Sequence, residues 1–187
     1  MDLSIINGWL EQAEHRRSPN FSARPSGCAV DLLVVHSISL PPGCYGGGEV
    51  EQFFCNELLS DQHPYFAEIA ELKVSAHLFI SRTGRLVQFV GFEERAWHAG
   101  RSSFHGRDEC NDYSIGIELE GTDTDAFEPV QYEVLAAVCT ELMCHYPALS
   151  SERIAGHSEI APGRKTDPGT GFEWDKFRQL LTENPTD

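Results

Sequence analysis

Apolar positions fall into short blocks with two different periods along the chain. Asp31-Leu32-Leu33-Val34-Val35-His36 is a continuous apolar run closed by a histidine, the pattern of a central strand buried on both faces. Ser114-Ile115-Gly116-Ile117-Glu118-Leu119-Glu120 alternates, so Ile115, Ile117 and Leu119 share one strand face and Ser114, Gly116, Glu118 and Glu120 the other. Stretches 76–82 and 85–91 flank Thr83-Gly84, which predicts a hairpin. Arg153-Ile154-Ala155-Gly156-His157 is a second short apolar run ending in a histidine. Elsewhere the spacing is helical. Val50, Phe53, Phe54 and Leu58 mark one helix, and Phe66, Ile69 and Ala70 mark another after Pro64. Val134, Leu135, Val138 and Leu142 mark a longer helix opened by Pro129; Trp174, Phe177 and Leu181 mark the last. No repeat or linker divides the 187 residues, so residues 1–187 are expected to form a single α/β (α+β) domain with a central mixed sheet flanked by helices. The one loose stretch, about residues 40–48, holds Pro41-Pro42-Gly43 and Gly46-Gly47-Gly48 and is expected to be a mobile loop beside a cleft.

Composition narrows the function classes. Lys+Arg 14 against Asp+Glu 29 gives a net charge of −15, which excludes a phosphate-tracking nucleic-acid binder and argues against docking on anionic membrane. Hydrophobic content of 41% supports a sizeable core. No apolar stretch has the length of a membrane span, and Met1-Asp2-Leu3-Ser4 carries an acid where a signal peptide carries base. A cytoplasmic protein is expected. In that compartment the six cysteines read as reduced structural thiols, with Cys139 and Cys144 as small apolar residues on a helix.

The histidines carry the candidate chemistry. His15, His63, His105 and His145 sit in polar or helix-end contexts and read as surface residues. His36 and His157 each close an apolar run, at the strand end where α/β proteins place their sites. Asp167 follows His157 by ten residues, and Pro168 restricts its backbone. Together the three form a His2Asp set, which leaves a tetrahedral zinc one open position and fits Zn2+ better than magnesium. The other reading of Asp167 is a turn residue beside Pro and Gly; spacing alone does not bring the three together. Glu118 and Glu120, on a strand face with Gly116 and Ser114, suggest a pocket floor. Two carboxylates pointing the same way cannot straddle a glycosidic bond, which counts against a glycosidase. Lys165, two residues before Asp167, would face the same side and suit a developing oxyanion.

Five blocks then stand in a familiar order: Val34-Val35-His36-Ser37, Ser75 to Ile80, Arg95-Ala96-Trp97-His98-Ala99-Gly100, Asn111 to Gly121, and Gly156 to Gly169. In this the chain resembles the zinc-dependent N-acetylmuramoyl-L-alanine amidases, a family that shares its fold with peptidoglycan-recognition proteins. It most resembles the cytoplasmic branch acting on 1,6-anhydromuramyl peptides. The resemblance implies one Zn2+ per chain on His36, His157 and Asp167, with Glu118, in preference to Glu120, and Lys165 as catalytic residues. It also implies a cleft wall containing Trp97 and His98, while His77 reads as structural. Three positions depart from close relatives: Ser37 replaces Asn, Lys73 replaces a substrate-facing Arg, and Glu109 stands where some members carry Arg. The implied substrate is an anhydromuramyl peptide, cut between the lactyl group and L-Ala. Its carboxylates would be met by local cations such as Lys73, Arg107 and Arg164, because the net charge opposes long-range steering. A monomer is expected. The alternatives are a non-catalytic peptidoglycan-binding module of the same fold, or a lysin or autolysin acting on polymeric wall.

Overall fold

The computed structural model describes residues 2–183; Met1 and residues 184–187, and with them the two ends of the expected 1–187 domain, lie outside the described residues. One sheet contains β1 (Glu14–His15), β2 (Leu32–Ile38), β3 (Leu78–Ile80), β4 (Leu86–Gln88), β5 (Ser114–Glu120) and β6 (Ile154–Gly156), in the spatial order β6-β2-β5-β3-β4-β1. β6, β2, β5 and β3 are parallel, β4 turns back antiparallel to β3, and β1 lies parallel to β4 at the edge. The helices are α1 (Glu49–Phe54), α2 (Pro64–Ile69), α3 (Pro129–His145), α4 (His157–Ile160) and α5 (Trp174–Glu183). This is the expected mixed sheet flanked by helices. None of them is long and apolar enough to cross a membrane among the described residues.

Leu33 and Val35 of β2 and Ile115, Ile117 and Leu119 of β5 point to one face. There they pack against Leu135, Val138 and Leu142 of α3 and Phe177 and Leu181 of α5. Each such side chain contributes roughly 1.5–3 kcal/mol on full burial, so this face holds the register. A slip of one residue would drive Glu118 and Glu120 into it. α3 begins at Pro129, where a missing N–H costs nothing, and Gln131 Oε1 accepts the Glu128 N–H at 3.0 Å.

The opposite face carries two apolar patches. Leu32 and Val34 pack with Tyr113, Ala155 and Ile160, while Phe79 and Val87 pack with Phe53 and Phe54 of α1 and Phe66 and Ile69 of α2. Between the patches, at the carboxyl ends of β2, β5 and β6, the face stays polar and a cleft opens.

Local differences from the sequence pattern have local causes. α1 stops at Phe54, short of Leu58, because the backbone turns left-handed at Asn56 (φ 60°). His63 caps α2, its Nδ1 accepting the Tyr65 N–H at 3.1 Å. The hairpin forms where expected, turning at Gly84 with φ 80°, a conformation that favours glycine. Cys139 is buried in the core, but Cys144 is exposed near the end of α3, where the helix face has left the core. Arg24 was not singled out by its sequence context. Its guanidinium donates to the carbonyls of Phe92, Asn111, Asp112 and Ser114, pinning the turn before β5, and burial pushes it down to about 10.

Candidate metal centre and cleft

Strand register assembles the site. β2 and β5 pair with His36 beside Glu118, so both side chains leave the same sheet face. β6 pairs Gly156 with Val35 and delivers His157 as the first residue of α4. Asp167 returns on the loop after α4, its carbonyl taking the Ser158 N–H at 2.9 Å.

Three atoms meet as a nearly equilateral triangle. His36 Nδ1 lies 2.9 Å from His157 Nδ1 and 3.1 Å from Asp167 Oδ2, and His157 Nδ1 lies 3.0 Å from the same oxygen. Both histidines are buried. The outer ring nitrogens fix what these atoms offer. His157 Nε2 lies 3.1 Å from the Ala99 carbonyl, which can only accept, so Nε2 is the donor and Nδ1 is left facing the triangle. His36 Nε2 lies 2.9 Å from His98 Nδ1, and His98 Nε2 lies 3.1 Å from Ser114 Oγ. If His36 donates to His98 and His98 to Ser114, His36 also presents a bare Nδ1. Lone pairs from two imidazoles and a carboxylate then converge with nothing to offset their repulsion except a cation. Ligand atoms around a tetrahedral metal with bonds of about 2.0 Å stand roughly 3.3 Å apart, close to this spacing. The residues present fit a metal ion.

The electrostatics agree. Burial pushes His36 down to about 4, keeping it neutral. Asp167, whose Oδ2 sits against the inner nitrogens of His157 and His36, is held well below the usual carboxylate range although burial alone would raise it. Glu118, only 8% exposed, is raised well above that range by burial and then by the charge of Asp167, with Lys165 opposing. Its Oε2 is buried with no hydrogen-bond partner.

A cleft of about 500 Å3 runs from this triangle across the sheet end. Ser37, His98, Glu118, Lys165 and the three metal-set residues line it near the triangle; Leu40, Tyr65, Ile69 and Leu72 line its apolar half. Not every residue singled out from sequence arrives there. Trp97 is not among the lining residues, and its indole N–H lies 3.4 Å from Ser22 Oγ. Lys73 is exposed between the lining residues Leu72 and Val74 without itself lining the cleft. Arg107 lies far from it: the guanidinium pairs with Asp31, before the first residue of β2, at 3.2 Å and stacks on Tyr113 at 3.7 Å. Arg164 is turned back onto the carbonyls of Ala99 and Arg101, at 2.6 and 2.7 Å. His77 is structural, with Nδ1 accepting the Gly116 N–H and Nε2 facing the Glu94 carbonyl. The bond from His98 to a member of the metal set has one sign in the chain, Gly116. A Cβ there would overlap the His98 ring, so the strand keeps a glycine under the imidazole.

Two histidines, an aspartate and a glutamate with an unpaired oxygen meet at the carboxyl end of the sheet, a set of the kind that metal-dependent hydrolases use. The chain belongs to the N-acetylmuramoyl-L-alanine amidase family, whose model matches residues 26–170. It is 53% identical over 174 residues to the 1,6-anhydro-N-acetylmuramyl-L-alanine amidase AmpD of Salmonella typhimurium strain SL1344, covering 93% of this chain and 92% of that protein. It is 51% identical over 182 residues to AmpD of Escherichia coli strain K12, covering 97% and 99%. The crystal structure of a selenomethionine AmpD derivative superposes with a TM-score of 0.93 at 52% identity, covering 95% of this chain and 99% of that one.

Proposed function

We propose that this chain hydrolyses the amide between the lactyl group of 1,6-anhydro-N-acetylmuramic acid and L-Ala of a stem peptide, in cytoplasmic muropeptide recycling. One Zn2+ per chain would be held by His36, His157 and Asp167. The observation that carries the reading is the triangle of lone-pair donors beside the unpartnered Glu118 Oε2. Nitrogen and carboxylate donors without thiolate fit zinc better than magnesium or an iron–sulfur cluster. Bound there, zinc supplies polarisation of the scissile carbonyl and activation of water at neutral pH. Glu118 receives the proton of the attacking water on its carboxylate and passes it to the departing amine of L-Ala. Lys165 reaches the cleft from the loop carrying Asp167, so its ammonium balances the oxyanion that develops on the carbonyl oxygen. The apolar half of the cleft gives the rest of the substrate a wall that excludes water.

The non-catalytic binding reading is disfavoured by Glu118 and Lys165 beside the donor triangle, which a binding module would not need. The protein is proposed to act as a monomer, without nucleic acid or membrane partner. Metal analysis and turnover of His36→Ala test the ligand set. The variant is expected to lose both zinc and activity; full zinc occupancy with normal turnover would overturn it.

A further inference from the structure

The two histidines of the metal set take their outer hydrogen bonds from consecutive residues. His36 Nε2 meets the side chain of His98, and His157 Nε2 meets the carbonyl of Ala99. That dipeptide lies outside the regular strands, so no ladder of backbone hydrogen bonds holds it. One side chain takes both of its backbone N–H groups instead. Asn111 Oδ1 accepts both the His98 N–H, at 3.1 Å, and the Ala99 N–H, at 2.8 Å, and the residue is buried. Arg24 in turn ties down the Asn111 carbonyl at 3.1 Å.

We propose that Asn111 is a positioning residue for the metal centre: its side-chain carbonyl fixes the His98-Ala99 segment, which hands one acceptor to each ligand histidine so that both present Nδ1. Asn111 touches neither histidine. The two N–H groups it accepts orient the peptide planes at 98 and 99, and those planes set the direction of the Ala99 carbonyl and the start of the His98 side chain. The ring of His98 is confined further by Gly116 beneath it and Ser114 Oγ at its far nitrogen. The Ala99 carbonyl also accepts from Arg164, which uses one of its two lone pairs and leaves the other for His157. Groups bonded directly to a ligand and orienting it typically change metal affinity 10–100-fold when mutated, and Asn111 acts through two such groups, His98 and the Ala99 carbonyl. No charge or apolar run marks Asn111 in the sequence, so its role is visible only in the fold.

This inference rests on the proposed zinc set, and the test separates the two. Zinc affinity is measured by competition with a chelator for wild type, Asn111→Leu and Asn111→Asp, and ring-nitrogen protonation is read by 15N NMR on the zinc-loaded proteins. Leucine matches the shape without an acceptor, whereas aspartate keeps an oxygen for both N–H groups. The expected result is a 10–100-fold loss of zinc affinity for Asn111→Leu, with the His36 and His157 Nε2–H signals shifted or lost. Asn111→Asp is expected to stay close to wild type in both readouts. Affinity within about twofold of wild type in Asn111→Leu, equal losses in both variants, or a loss of affinity with unchanged ring signals would each overturn the proposal. If Asn111→Leu does not fold, the wild-type spectrum decides: protons on Nε2 of both His36 and His157, with a coupling across to His98 Nδ1, are required, and a proton on either Nδ1 overturns it. Wild type without zinc binding would overturn the metal reading itself.

Discussion

Two carboxylates leave the same face of β5 two residues apart, and their surroundings separate them. Glu120 has both oxygens engaged, Oε1 by the Gly46 N–H at 2.6 Å and Oε2 by the Arg82 N–H at 2.9 Å. It is a fixed acceptor for two loops. Glu118 has an orphaned oxygen and a proton affinity raised by burial and by Asp167. Glu118→Gln is therefore expected to keep its metal and lose about 10²–10⁴-fold in kcat. Glu120→Gln is expected to lose far less kcat but to be less stable, because an amide turns one donor toward a backbone N–H and leaves both unsatisfied. Steady-state kinetics with metal analysis check this; equal losses of kcat at both positions would contradict the assignment. Strand alternation put both carboxylates on one face but could not rank them. The groups that rank them lie 74 and 38 residues from Glu120, and only the resemblance favoured Glu118 beforehand.

At the scale of elements, the loop expected to move is held at several points. The Tyr45 hydroxyl donates to Asp125 at 2.5 Å, its ring lies under the Arg82 guanidinium at 4.7 Å, and the Gly43 N–H reaches Ser39 Oγ at 2.9 Å. Of the two glycines before α1, Gly47 has no such tether among the described hydrogen bonds, while Gly48 gives its carbonyl to the Gln52 N–H at 2.9 Å. We propose that motion of the cleft flank is concentrated there. A Cβ at Gly48 meets only the Gln52 side chain at 3.7 Å, and one at Gly47 displaces only the end of the Glu49 side chain. Neither glycine needs a positive φ. Replacing both with Ala thus removes freedom without a backbone clash. The double variant is expected to keep its zinc and to shift kcat and KM together; wild-type kinetics would rule out gating by this loop. The elements themselves were largely legible, because strands β2 and β5 and helix α3 announce themselves through apolar period and through Pro129. The placement of charged residues was not. Arg107 and Arg164 looked like substrate cations, yet their partners lie 76 and 65 residues away in sequence, and those contacts decide which wall each arginine faces.

For the whole molecule, a net charge of −15 opposes the approach of an anionic peptide, so recognition falls to the few cations near the cleft. The buried histidines give the metal-free fold a pH dependence of definite sign. Burial pushes His36 down to about 4, His77 to about 3, and His98 well below its ordinary value, so all three are neutral when folded. Unfolded, each takes up a proton near pH 6.5. Below about pH 6.5 the unfolded chain binds more protons than the folded one, so stability falls as pH drops toward about 4. Glu118 acts in the opposite sense, since the fold holds its proton to higher pH, but it is one group against three. The Tm of chelated protein is expected to fall between about pH 7 and about pH 5; a flat or rising Tm over that interval would contradict this balance. The central claim is metal-dependent cleavage of the lactyl–L-Ala amide. Its most direct test is incubation of purified protein with an anhydromuramyl tripeptide, with and without a chelator, with the products identified by mass spectrometry. Free tripeptide and anhydro-N-acetylmuramic acid are expected, with no turnover under chelation and recovery when zinc is restored. Undiminished turnover after the metal is removed, or cleavage at a different bond, would contradict it.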